Sequence, residues 1–239
     1  MYAQTNIQLY NQLRKLEYSV DDLALIRNAY ELAVQLFTSR YRRTGKTFLA
    51  HVVGTASIVA FLQQGPALTA AALLHAAYTH GDFGLAKKSI TSLKRKQLIR
   101  KVGRKVETYV AKYSELRWNA RAAMNIQKQL DTLTDLQRDV LLMRLANELE
   151  DHLDCSAVYR YDAEKYIEKL DEKRKLLASL SQALSVPLLT EEINRVFAEC
   201  MDSSVVTELL PQDSRRHNFF IPPRSYWKSP WIRIRHKMS

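Results

Sequence analysis

Glycine and proline are scarce in this chain, six of each in 239 residues. So few turn formers cannot punctuate many short strands, and the abundance of helix formers points to an all-α fold. Cysteine is rarer still: Cys155 and Cys200 stand alone, without the partner spacing of a metal site. A chain of this length buries a core without a disulfide scaffold, so free thiols in a reducing compartment are expected, although an isolated pair leaves a disulfide open. No apolar run is long enough to span a bilayer, and the opening residues 1–6 are polar, with no charged region leading into an apolar one. The expectation is a cytoplasmic protein without a transmembrane segment. Internal repeats, a Walker loop, a dinucleotide-binding glycine pattern and a nucleophile elbow are all missing, which removes the function classes they carry.

What is plentiful is positive charge: 36 Lys and Arg face 25 Asp and Glu, a net +11. Two stretches concentrate it. Residues 87–105 hold nine basic side chains and no acidic one, and such a stretch is either a basic rim suited to a phosphorylated ligand or a solvated face. Residues 211–239 hold seven basic side chains against Asp213 alone, interleaved with four prolines and with Phe219, Phe220, Tyr226, Trp227 and Trp231. Proline density disfavours a helix there, so an extended arm is expected, packing its aromatics on the domain or on a second copy in a homo-oligomer. The same composition is compatible with nucleic acid or an acidic membrane surface as partner.

Apolar periodicity predicts helices over about 6–16, 20–41, 48–63, 66–78, 117–130 and 159–184. Ser19 with Asp22, and Thr134 with Gln137, carry the spacing of capping boxes, and Thr190 reads as the cap of a last helix reaching about 201. The segment 66–78 is apolar all round, which marks a helix buried on every side. Its end delivers His75, Tyr78 and His80. His51 lies on the preceding helix, and an isolated histidine in such surroundings is commonly a satisfied core residue.

Taken together, the two histidines form a recognisable pattern. Arg42, Arg43, Thr44 and Gly45 precede Phe48 and His51; Ala72, Leu73, Leu74 and His75 follow; and downstream comes the run Leu141-Leu142-Met143-Arg144-Leu145-Ala146-Asn147-Glu148-Leu149. Over 42–154 this resembles the HD-domain metal phosphohydrolases, in particular the RelA/SpoT-type alarmone hydrolases. The resemblance implies an HD-domain-like helical bundle, expected to take in residues 1–201, and the basic, proline- and aromatic-rich composition sets off a C-terminal arm over 202–239. It also implies that His51 and His75 are remnants of a metal site. The metal-binding Asp that should follow His75 is Ala76, the distal metal Asp is Asn147, and the water-activating Glu-Asp pair falls on Thr79 and His80.

Two neutral imidazoles hold Mn, Fe or Zn poorly, so the expectation is no cofactor unless Glu148 and Asp151, or His80 and Asp82, have rebuilt the site. Otherwise Glu148, Glu150, Asp151 and Asp154 read as a solvated acidic face. One functional reading is a pseudo-HD protein that has lost metal-dependent hydrolysis and binds a phosphorylated small molecule or a protein partner. In it Arg42, at the family's base-stacking position, with Lys46, Lys112 and Asn147, would contact the ligand. The alternative is a divergent enzyme in which His51, His75, Tyr78 and His80 do acid–base work.

Overall fold

The structure, a computed structural model, describes residues 2–84, 89–159, 162–204, 206–209 and 218–222. In chain order the helices are α1 (Asn6–Lys15), α2 (Val20–Phe37), α3 (Phe48–Phe61), α4 (Pro66–Leu74), α5 (Ala77–His80) and α6 (Ser92–Glu115). They continue with α7 (Ala120–Lys128), α8 (Asp135–Glu150), α9 (Ala163–Ile167), α10 (Leu170–Ala183) and α11 (Pro187–Asp202). A pair of two-residue strands, β1 (Arg40–Tyr41) and β2 (Phe219–Phe220), is the one sheet among the described residues. The fold is all-α apart from that pair, and no described helix is long and apolar enough to cross a membrane.

Helix α4 is the centre of the bundle, as its all-round apolarity requires. Leu68 through Leu74 are buried, and the helix packs against α2, α3 and α6. Helix α3 is nearly as buried, from His51 to Ala60, and lies between α4 and α8. Two helical layers therefore meet where His51, the end of α4 and the C-terminal half of α8 converge. The capping boxes of Ser19 with Asp22 and of Thr134 with Gln137 are both formed, each satisfying backbone N–H groups that a helix start leaves open.

Several boundaries differ from the sequence reading. Helix α2 stops at Phe37 rather than 41, because residues 40–41 pair antiparallel with 219–220, Arg40 opposite Phe220 and Tyr41 opposite Phe219. The α4 segment breaks after Leu74 and resumes as α5. At that break the His75 ring Nδ1–H donates to the Ala72 carbonyl at 2.8 Å. The expected helix over 159–184 is divided into α9 and α10. Tyr166, before the division, and Lys173, after it, both reach the cluster on α8 described below. The last helix starts at Pro187, not Thr190, whose hydroxyl instead meets Ser181 at 2.7 Å. Proline at a first turn forfeits no hydrogen bond.

Helix α6 carries most of the basic stretch and kinks at Gly103, whose φ of 83° and ψ of 165° are outside the helical region. Lys94 is buried with its ammonium 5.0 Å from the Phe83 ring centre, and Arg95 forms two hydrogen bonds with Glu107. The stretch is thus neither a uniform solvated face nor a continuous rim. Cys155 and Cys200 are free thiols, and the Cys200 sulfur lies 2.9 Å from the Cys155 sulfur and 3.1 Å from the His152 carbonyl oxygen. Lys87, Lys88, Tyr226, Trp227, Trp231 and the seven basic residues of the arm lie outside the described residues.

Candidate functional site

His51 enters the interior because α3 is apolar on every face, and its ring stands edge-on to that of His75, centroids 5.2 Å apart. Both rings are buried. Their surroundings come from α8, on which Arg144, Asn147, Glu148 and Asp151 share a face at three- and four-residue spacing.

The acidic run of α8 is not a solvated face. Glu148 and Glu150 are buried, and each carboxylate finds cations from far along the chain. Glu150 is bonded through one oxygen to the Lys46 ammonium and through the other to His51 Nδ1. Asp151 receives a hydrogen bond of 2.5 Å from the Arg42 guanidinium, which also packs against the Phe48 ring. Glu148 is held between Arg144 and Lys173, the latter at 2.6 Å. Asp154 is 3.5 Å from Lys46. Close approach of Glu150 to α3 needs Gly54: a Cβ there would stand 2.6 Å from the Glu150 Oε1.

A second layer fixes these groups. Arg144 donates to the Tyr113 hydroxyl at 3.0 Å, and the Tyr113 ring lies against His75. The Tyr166 hydroxyl accepts from Lys173 and donates to His152 Nε2 at 2.7 Å, while His152 Nδ1–H donates to the Glu148 carbonyl. The His152 ring is stacked on Phe197, which ties α8 to α11.

Burial and neighbouring charge set the protonation states. Burial, assisted by Arg42, pushes His51 down to about 3, and burial with the neighbouring His51 pushes His75 well below its ordinary range. Burial would raise Glu148, but Lys173 and Arg144 outweigh it and hold the carboxyl at about 2. Asp151 is likewise desolvated, and Arg42 and its neighbours keep it below the usual carboxylate range. Glu150 goes the other way: burial lifts it to about 8 against the pull of Lys46. Both imidazoles are therefore neutral near pH 7. His51 Nε2 is buried without a hydrogen-bond partner among the described residues.

Two cavities open on this cluster. One, of about 240 Å³, is lined by Arg42, Arg43, Lys46, Arg144 and Lys173 together with Glu148 and Asp151. The other, of about 260 Å³, reaches His75, His80, Tyr113 and Asn147 and shares Arg42, Arg144 and Asp151 with the first.

The structure brings together His51, His75, Arg42, Lys46, Asn147, Glu148 and Asp151, with His80 at the edge. It does not bring Tyr78 or Lys112. The Tyr78 hydroxyl donates to Glu107 on α6, and Lys112 is half exposed and paired with Glu115. His80 hydrogen bonds to Thr79 and Asn218. Asp82 caps its own loop by accepting from the Gly84 N–H. The roles of Arg144, Tyr113, Glu150, Tyr166 and Lys173 were missed. Arg144 and Tyr113 each had a signal, lying one helical turn from Asn147 and one residue from Lys112.

A divalent ion does not fit these residues. His51, Glu150 and Asp151 offer donor atoms within 4.8 Å of one another, a spacing that could hold a metal. Yet Glu150 is bonded to the Lys46 ammonium and Asp151 to the Arg42 guanidinium, so an ion there would face two protein cations. Ala76 contributes no donor and Asn147 no charge. Protein cations stand where a metal's charge would be needed.

A family model described as a domain of unknown function (DUF6817) matches residues 34–117, a third of the chain. That span takes in Arg42, Lys46, His51, His75, His80 and Tyr113, while the α8 carboxylates lie beyond it. No curated protein matches the chain.

Proposed function

We propose that the chain is an HD-like protein whose cavity has exchanged metal-dependent hydrolysis for binding a phosphorylated small molecule. The observation that carries this reading is the lining of the first cavity, five cationic side chains against two carboxylates. Guanidinium groups present forked donors that match phosphate oxygens, and Arg42 and Arg144 supply two of them. The carboxylates hold these cations in place and lower the cost of gathering them in one enclosed site.

The binding event the arrangement supports is an exchange of partners. An incoming phosphate competes with Asp151 for Arg42 and with Glu148 for Arg144, both cations remaining charged throughout. Neutral His75 and the amide of Asn147 are available as hydrogen-bond partners from the adjoining cavity. The enzyme alternative draws on His51 Nε2, which is buried without a hydrogen-bond partner among the described residues.

Calorimetric titration with inorganic pyrophosphate, alongside elemental mass spectrometry of protein prepared without chelator, tests the reading. Saturable binding is expected, weakened about tenfold by Arg144→Gln, with no stoichiometric Mn, Fe or Zn. One equivalent of metal that disappears in His51→Ala, or an absence of pyrophosphate binding, would overturn it. A hydrolytic activity lost in His51→Ala without a fall in melting temperature would favour the enzyme.

A further inference from the structure

Next to the cationic cavity is a larger one of a different character. A groove of about 610 Å³ runs between α7 and α10, with mainly apolar walls that include Trp118, Met124, Leu176 and Leu177. Met124, 48% exposed, lies on the α7 side of the groove. The volume and lining are those of small-molecule sites, which are concave, mostly apolar and marked by few polar groups. Glu148, Tyr166 and Lys173 line both this groove and the cationic cavity, so the two adjoin along these side chains.

We propose that the ligand is a soluble phosphate monoester of an aliphatic or aromatic alcohol, its phosphate in the cationic cavity and its apolar body in this groove. The inference rests on the phosphate-binding reading above and adds the class of molecule. Two other occupants are disfavoured by charge. The arm over 211–239 has seven basic residues against one acidic, and a second copy of the chain carries +11. Each would bring positive charge to a groove whose lining holds Lys165, Lys169 and Lys173 against Glu148 and Glu172, and which adjoins the four further cationic groups of the first cavity. An anionic head with an apolar body complements both compartments at once.

The experiment is a calorimetric comparison of inorganic phosphate, octyl phosphate below its micellar concentration, and octanol, on the full chain. Octyl phosphate is expected to bind at least about tenfold tighter than inorganic phosphate, because apolar area leaves water only for the ester. That ratio should fall towards unity in Met124→Asn, and in Ala120→Trp, which obstructs the groove from an exposed position. Equal affinities for phosphate and octyl phosphate in the unaltered protein would sink the inference and leave the phosphate reading standing. Failure of both to bind would remove the two together. Octanol binding as tightly as its phosphate, a ratio untouched by either substitution, or stronger capture by phosphatidate vesicles than by octyl phosphate would each overturn the assignment.

Discussion

Glu150 shows how much one buried residue depends on its neighbours. Its carboxyl reaches Lys46 and His51 only because residue 54 has no side chain. In Gly54→Ala the new Cβ would stand 2.6 Å from Oε1, 2.7 Å from Cγ and 2.8 Å from the Gln4 amide nitrogen. A free glutamate would swing aside, but this one is held at both oxygens, so the strain passes to the α3–α8 contact. The expected cost is about 1–3 kcal/mol, as for other overpacked interiors. Chemical denaturation should show a lower midpoint with an unchanged slope. Glu150→Ala, which removes the obstacle, should make the Gly54→Ala change much milder in the double variant. Full additivity of the two changes would contradict this account.

Among the elements, helix α6 rests on one residue in the same way. Gly103 adopts φ 83° and ψ 165°, a region that costs an L side chain about 1–3 kcal/mol. The kink lets Val102 and Val106 both reach the core from the two arms of the helix. Gly103→Ala should therefore lower the melting temperature without loss of helical circular dichroism, since a straightened α6 remains a helix but buries one arm less well. The elements legible in sequence were those whose cause is local: the capping boxes at Ser19 and Thr134, and the apolar α4. What sequence concealed is non-local. An acidic run such as Glu148, Glu150, Asp151 and Asp154 reads as solvated until Lys46, Arg42 and Lys173 are folded onto it. Lys112, expected as a ligand contact from the family resemblance, is half exposed and paired with Glu115, while its neighbour Tyr113 meets Arg144 and His75. The division of residues 159–184 into α9 and α10 accompanies the bonds of Tyr166 to His152 and of Lys173 to Glu148, contacts that no local pattern announces.

For the molecule as a whole, the buried titratable groups define a stability optimum in pH. His51, His75 and His152 all have folded pKa values below the ordinary 6.5; for His152 burial and then Lys173 bring it to about 4. Each contributes stability that is complete above 6.5 and is lost as pH falls towards its folded value. Glu148, lowered to about 2, adds to the acid loss below 4.5. Glu150 has the opposite sign. Raised to about 8, it contributes stability that is complete below 4.5 and is lost as pH climbs through 8. Between 4.5 and 6.5 three histidines oppose one glutamate and stability rises with pH; above 6.5 the glutamate acts alone and stability declines. The melting temperature should therefore peak near pH 6.5. The alkaline limb is at most one proton per molecule, about 1.4 kcal/mol per pH unit, or about 3–6 °C for a chain of this size. Glu150→Gln keeps the shape, an acceptor for Lys46 and a donor for His51, but cannot ionise. It should abolish the alkaline decline up to about pH 8 while leaving the acid limb intact. Scanning calorimetry from pH 4 to 9 on both proteins decides the matter. An unaltered alkaline slope in Glu150→Gln would place the titrating group elsewhere, and a melting temperature that rises steadily to pH 8 would show that Glu150 is ionised in the folded protein throughout.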